Sequence, residues 1–238
     1  MTRTYWHCSN LTGNPVCGDK VISMNNTYLG CEHLTGSPVC GPNVTDMAAT
    51  YVGCINLTDS PVCGNNVTTM YSTYASCYNL TGSPVCGPNV INMSSTYADC
   101  YNLTGSPMCG PNVTDMSYTY SNCINLTGSP ISGLKVSNMQ NTYRNCHNLD
   151  TEAFLDSFEV GFANGCFADR NNSKRLNIYL PSNSNTNNTF HITNSASIVD
   201  NNITWTINDL HSYNTKYNIY IYPVHSRAIL FNNGELVI

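Results

Sequence analysis

The chain has 238 residues, carries a formal net charge of −5, and is only 10% charged, where about 25% is usual for a soluble domain. No Lys or Arg falls between Lys20 and Lys135, which excludes a basic nucleic-acid surface over that stretch. No apolar run is long enough to span a bilayer and the N-terminus lacks the apolar segment of a secretory signal, so neither membrane insertion nor export by that route is expected.

The first half of the chain is a repeat. Cys8, Cys31, Cys54, Cys77, Cys100, Cys123 and Cys146 recur every 23 residues without an insertion, and Leu80 to Cys100, LTGSPVCGPNVINMSSTYADC, represents the unit. A fixed period of this size predicts a solenoid whose core lies between neighbouring coils. Met1 stands in the register of Met24 and Met47, so the first unit begins partway through the pattern. An uncapped N-terminal end is therefore expected, covered by an upstream segment or by another protein, since a coil end exposes apolar residues and strand edges.

Within the unit, Leu80, Val85, Val90, Met93, Tyr97 and Cys100 are the recurring apolar positions. Their uneven spacing predicts short segments joined by corners. Leu80 to Cys86 is the expected strand, giving one parallel sheet up the stack, with Pro84 confined to an end or a bulge by its missing donor. Gly18, Gly41, Gly64, Gly87, Gly110 and Gly133 all follow the second Cys position. A sharp corner with positive φ is predicted there. The Val-Thr-Asp-Met-Ser string that follows suits one helical or 3₁₀ turn and is too short for a stable helix, so the far side is expected to be irregular or 3₁₀.

Several columns should stack on their own copies. Asn10, Asn56, Asn79, Asn102, Asn125 and Asn148, with His33 as the one replacement, form a ladder suited to satisfying backbone groups at a bend. The Thr-Tyr pairs from Thr27 and Tyr28 through Thr142 and Tyr143 give an aromatic column that includes Tyr51, Tyr74, Tyr97 and Tyr120, with hydroxyls reaching water or nearby backbone. Of the 13 cysteines, twelve fall in two ladders, the second being Cys17, Cys40, Cys63, Cys86 and Cys109. Reduced, buried thiols packing as small hydrophobes are expected, with intracoil bridges such as Cys8 to Cys17 as the alternative in an oxidising compartment.

Cysteine spacings of 9 and 14 lack the close pairs of zinc sites, and Ser132 interrupts the second ladder, so no metal or other cofactor is expected. His7, His33, His147, His191, His211 and His225 share no register, and no nucleophile-base order, phosphate loop or carboxylate pair stands out. An enzyme is not expected. Asp46, Asp59 and Asp115 fall in corners, where capping accounts for them. Thr12, Thr35, Thr58, Thr81, Thr104 and Thr127, each two places before Ser or Asn14, form an array of the kind an ice-binding or glycan-binding face displays, and also of any strand with one wet face. Sequons such as Asn43-Val-Thr recur, a compositional coincidence without a secretory signal.

Past Cys146 the period fails and a boundary is expected near residue 150. Leu176 to Pro181 and Tyr217 to Pro223 resemble each other at a separation of 41 residues and read as strands of two enlarged coils. A further strand is expected over Ile203 to Ile207, and Ala228 to Ile238 reads as a hairpin turning at Asn-Asn-Gly, able to cap the stack or join a partner's sheet.

The run Asn112 to Cys123, NVTDMSYTYSNC, followed by Ile124, Asn125 and Leu126, resembles the BspA-like leucine-rich repeats over roughly residues 1 to 150. The tail resembles those of gut-bacteriophage structural proteins. The resemblance implies a mainly β fold class: a leucine-rich-repeat solenoid over 1–150 with one stacked parallel sheet, then an irregular β-rich cap over 151–238. It also implies a non-enzymatic fibre, decoration or tail component of a virion, with a bacterial cell-surface adhesin for host protein or glycan as the alternative. Partners would be virion proteins at the N-terminal end, a cell-surface receptor, or further copies of the chain. Recognition would fall on positions that vary between units: Glu32, Ile55, Tyr78, Tyr101, Ile124 and His147 after the first Cys, and Ala48, Tyr71, Ser94, Ser117 and Gln140 after Met.

Overall fold

The computed structural model describes residues 1–150, 152–155, 165–169, 176–182, 188–192, 195–200, 203–208, 217–223, 231–232 and 235–236, with side chains described in 1–150, at 153 and over 165–169. Residues 1–150 form successive units bonded to one another in register. The unit is a polygon of tight turns. In the unit around Tyr97 the turns close through Val90 N to Gly87 O (3.3 Å), Thr96 N to Met93 O (3.0 Å), Cys100 N to Tyr97 O (3.0 Å) and Leu103 N to Cys100 O (3.2 Å). In this unit each of these turns buries its first and fourth residues and leaves its two middle residues at least partly exposed. That rule explains the uneven apolar spacing: Gly87, Val90, Met93, Thr96, Tyr97, Cys100 and Leu103 are all turn ends.

The turn over 93–96 has positive φ at Ser95 (56°) and the next has it at Asp99 (63°), as turns of the type II kind require at their third residue. The same positions carry positive φ in every unit, through Asn26 and Gly30 to Asn141 and Asn145. No 3₁₀ or α-helical turn forms here. The backbone follows paired reverse turns, because the N–H groups are used between units instead of within a helix. Met93, Ser95, Tyr97 and Asp99 each donate to the following unit, at Asp115, Ser117, Thr119 and Ser121, over 2.8–2.9 Å.

The inter-unit bonding differs in place from the sequence expectation. Around Leu80 to Cys86 the backbone carries one bond to the preceding unit, Thr81 N to Asp59 O at 3.2 Å. Parallel bridges instead link Ser23, Asp46, Thr69, Asn92, Asp115 and Asn138, the residues just before each Met. Pro84 lacks a donor in the segment expected to be the strand, which disfavours a continuous ladder there. On that side a parallel bridge joins Gly13 to Leu34, and β1 (Ile131–Ser132), the position equivalent to Val85 and Cys86, pairs in parallel with β2 (Glu152–Leu155).

Gly41, Gly64, Gly87 and Gly110 stack as a column, but their backbone is not in the left-handed region. They are required by close approach. A Cβ on Gly87 would lie 2.9 Å from both Cys63 Sγ and the Gly64 carbonyl oxygen of the preceding unit. Positive φ falls instead on Gly36, Gly82, Gly105 and Gly128, at 78–80°.

Bonding continues beyond the boundary expected at residue 150. Tyr143 N donates to Cys166 O and Asn145 N to Ala168 O, both at 2.8 Å, and Phe167 stacks on Tyr143. β3 (Leu176–Ser182) pairs with β2, and β7 (Tyr217–Pro223) pairs in parallel with β3 at the 41-residue offset, Ile178 opposite Ile219. β4 (Asn188–Ile192) runs antiparallel to β7 and completes a five-stranded sheet in the order β1-β2-β3-β7-β4. β5 (Ser195–Asp200) and β6 (Ile203–Asn208) form one antiparallel pair, and β8 (Phe231–Asn232) with β9 (Glu235–Leu236) another. The glycine expected to turn that last hairpin lies outside the described residues.

Candidate functional site

Most polar side chains of the repeat serve the stack itself. The Met carbonyl that opens a reverse turn already accepts the N–H that closes it and has a second lone pair to offer the next unit. Thr50, Thr73, Thr96, Thr119 and Thr142 donate to the Met carbonyl one unit earlier, at 2.8–3.0 Å. Cys31, Cys54, Cys77, Cys100, Cys123 and Cys146 donate their thiols to the Tyr carbonyl one unit earlier, at 2.9–3.1 Å. Tyrosine crosses the unit. The Tyr97 hydroxyl accepts from Val85 N at 3.0 Å and donates to Val85 O at 2.8 Å, and Tyr28, Tyr51, Tyr74, Tyr120 and Tyr143 repeat the pattern twelve residues back. From Tyr5 to Phe167 the rings form one column, with centroids 5.2–5.9 Å apart and planes within 10° of parallel.

All 13 cysteines are free thiols, Cys8 exposed and the first ladder from Cys31 onward buried. Burial pushes the Cys63 and Cys86 thiols up to about 12 and Cys109 up to about 11. Only about one part in ten thousand of a thiol at 12 is ionised at pH 8, so these groups are poor nucleophiles and the exposed Cys8 is expected to be alkylated well ahead of them. The same shifts carry a stability consequence. A folded thiol with a raised pKa contributes stability that is fully present below its unfolded value near about 8.5 and is lost as pH rises toward the folded value. The melting temperature is expected to hold to about pH 8.5 and fall steadily from there to pH 12; a flat profile over that window would contradict the buried-thiol geometry.

The outward residues are the middle residues of the turns. Tyr78 and Tyr101 occupy the first outward place of the turn that ends in Leu80 or Leu103, and are 40% and 39% exposed, where Tyr97 is fully buried. Their rings stack at 5.2 Å and 15°. Glu32 lies exposed in the same column, with Ile55, Ile124 and His147 half-buried. Partial desolvation, and then the Asp99 carboxylate, push the Tyr101 phenol up from its ordinary value. In the column after Met, Tyr71 is exposed, while Ala48, Ser94 and Gln140 are half-buried. Ser117 is 7% exposed and bonds the Ser94 hydroxyl at 2.9 Å, which removes it from the candidate surface. Tyr118, beside it, is exposed in its place at positive φ. Sequence reasoning missed Tyr118, although an aromatic in an otherwise small, polar outward position was the available signal.

The Asn ladder is divided. Asn56 and Asn125 donate to the Glu32 and Tyr101 carbonyls of the preceding unit at 2.9 Å, and His33 contacts Ser9 O at 2.6 Å. Asn102 turns instead to Asn79 Oδ1 at 3.4 Å, and Asn79 makes no bond to the preceding backbone. Asp46 and Asp115 accept from the backbone N–H two residues on, at 2.9 and 2.8 Å, closing the turn that follows. Among the described residues no three His, Cys, Asp or Glu side chains gather as metal ligands, and no helix is long and apolar enough to cross a membrane. No protein-family model, no curated protein and no solved structure matches the chain.

Proposed function

We propose that the chain is a non-enzymatic solenoid of the leucine-rich-repeat kind, serving as a structural or receptor-interaction component of a bacteriophage particle. The carrying observation is where the polar side chains go. The Thr, Cys and Tyr ladders bond to the backbone of their own or the neighbouring unit, which stiffens the stack and leaves outward turn residues as the variable surface. Such a body suits display or bridging. Placement in a virion rests on the resemblance of the repeat and tail. A bacterial cell-surface adhesin is the second reading, favoured by the exposed Tyr78 and Tyr101 pair.

Electron microscopy of the native source with antibody raised to residues 1–150 tests the reading. Label on particles is expected. Label confined to a cell envelope would transfer the proposal to the adhesin, and recovery of the protein only as a free soluble monomer would end both.

A further inference from the structure

We propose that the outward edge formed by Tyr78, Asn79, Tyr101 and Asn102 binds a neutral, extended glycan. This deepens the receptor-interaction part of the function proposed above and rests on it. The first observation is the two phenols. Every buried Tyr from Tyr28 to Tyr143 commits its hydroxyl to the backbone of its own unit, whereas no such bond forms at Tyr78 or Tyr101. One face of each ring is spent on the other, and both side chains stay well exposed, at 40% and 39%.

The second observation is independent of the first. At these same two units the Asn ladder leaves the backbone: Asn102 reaches only to Asn79 Oδ1, at 3.4 Å, and the Asn79 amide nitrogen donates to nothing among the described residues. Beside Ile55 and Ile124 the equivalent amides stay locked to the preceding unit. Two phenols and two amides, each able to donate and accept, are thus presented side by side. Sugar hydroxyls, which also donate and accept, are their complement.

Charge chooses among ligands. No Lys or Arg lies between Lys20 and Lys135 to pair with a sulfated or carboxylated chain. The carboxylate next to Tyr101, Asp99, accepts the Asn122 amide at 2.6 Å and keeps its charge, so a cationic peptide is the competing ligand that the test below includes. Spacing agrees with a polymer: the ring centroids stand 5.2 Å apart, close to the length of one sugar in an extended glycan, so successive sugars meet successive units. Ile55 and Ile124, half-buried at either side, offer apolar ground for sugar C–H groups.

The test titrates the full chain with linear hexasaccharides of glucose, mannose, galactose and N-acetylglucosamine, with a heparin hexasaccharide and a lysine hexapeptide as charged probes, read by calorimetry. Saturable binding of at least one neutral hexasaccharide is expected, weakened at least about tenfold in Tyr78→Ala/Tyr101→Ala with the melting temperature held. Should that variant unfold, Asn79→Ala/Asn102→Ala carries the same expectation of several-fold loss. No neutral binding, binding only of heparin or the lysine peptide, or full affinity in a folded double variant overturns the proposal. Particle labelling reads independently of calorimetry, so failure of the glycan site and failure of the virion reading are distinguishable.

Discussion

Replacing Tyr97 with phenylalanine is expected to destabilise the stack by about 1–3 kcal/mol, although the ring keeps its size and place. The whole effect comes from one oxygen. Val85 N donates to Tyr97 Oη at 3.0 Å and Val85 O accepts from it at 2.8 Å, so the phenylalanine leaves a donor and an acceptor of one residue unpaired beside the core. Tyr97→Ala should cost about 3–5 kcal/mol, because it also opens a cavity in a fully buried site. It further breaks two ring contacts, at 5.6 and 5.7 Å. Tyr5 provides the internal control. Its ring stacks on Tyr28 at 5.2 Å, but its hydroxyl makes no such crossing bond, so Tyr5→Phe should lie within about 0.5 kcal/mol of the parent. Urea unfolding followed by far-ultraviolet circular dichroism measures all three. A Tyr97→Phe protein as stable as the Tyr5→Phe protein would show that the crossing bonds contribute nothing net.

The contrast between Tyr97 and Val85 also marks what could be read from the chain. The period and its apolar register are legible because one pattern is written several times, and Leu80, Val90, Met93, Tyr97 and Cys100 are all fully buried. The route of the backbone is not legible in the same way. Reverse turns that place Ser95 and Asp99 at positive φ use residues that other local structures accept equally well, so nothing local distinguishes paired turns from a short helical turn. The β-branched Val85 beside Cys86 suits a strand by propensity, yet the inter-unit bonds collect around Met93, where small polar residues let neighbouring backbones approach.

Two further features needed three-dimensional information for different reasons. The stacking of Phe167 on Tyr143 extends the repeat past residue 150, but the aromatic arrives 24 residues on and Cys166 replaces the preceding Thr, so a strict period overlooks it. The Asn ladder looks uniform in sequence. Its division at Asn79 and Asn102 depends on side-chain direction, which identical residue types conceal. At the candidate surface, the positions after Cys were legible as variable, whereas the withdrawal of Ser117 and the exposure of Tyr118 follow from which side of one turn faces out.

The second large effect is expected at a glycine. Gly87→Ala should destabilise the array by about 1–3 kcal/mol through overpacking, with no contribution from backbone strain. The new Cβ would lie 2.9 Å from Cys63 Sγ and 2.9 Å from Gly64 O. The oxygen cannot yield freely, since it also closes the turn to Val67 N at 3.2 Å. Gly41→Ala differs in degree: Cys17 Sγ is the near atom at 2.8 Å, and Gly18 O, at 3.2 Å, is crowded less than Gly64 O. Adding Cys17→Ala to Gly41→Ala should therefore recover most of the loss, while Cys63→Ala should rescue Gly87→Ala only in part, a difference a double-mutant cycle resolves when coupling exceeds about 0.5 kcal/mol. Gly18→Ala meets nothing nearer than Val21 Cγ2 at 4.0 Å and should be neutral or slightly stabilising, because it removes freedom from the unfolded chain alone. If Gly18, Gly41 and Gly87 responded alike, the column would be set by turn conformation after all, and the close contact of sulfur on glycine between units would not be what selects the residue.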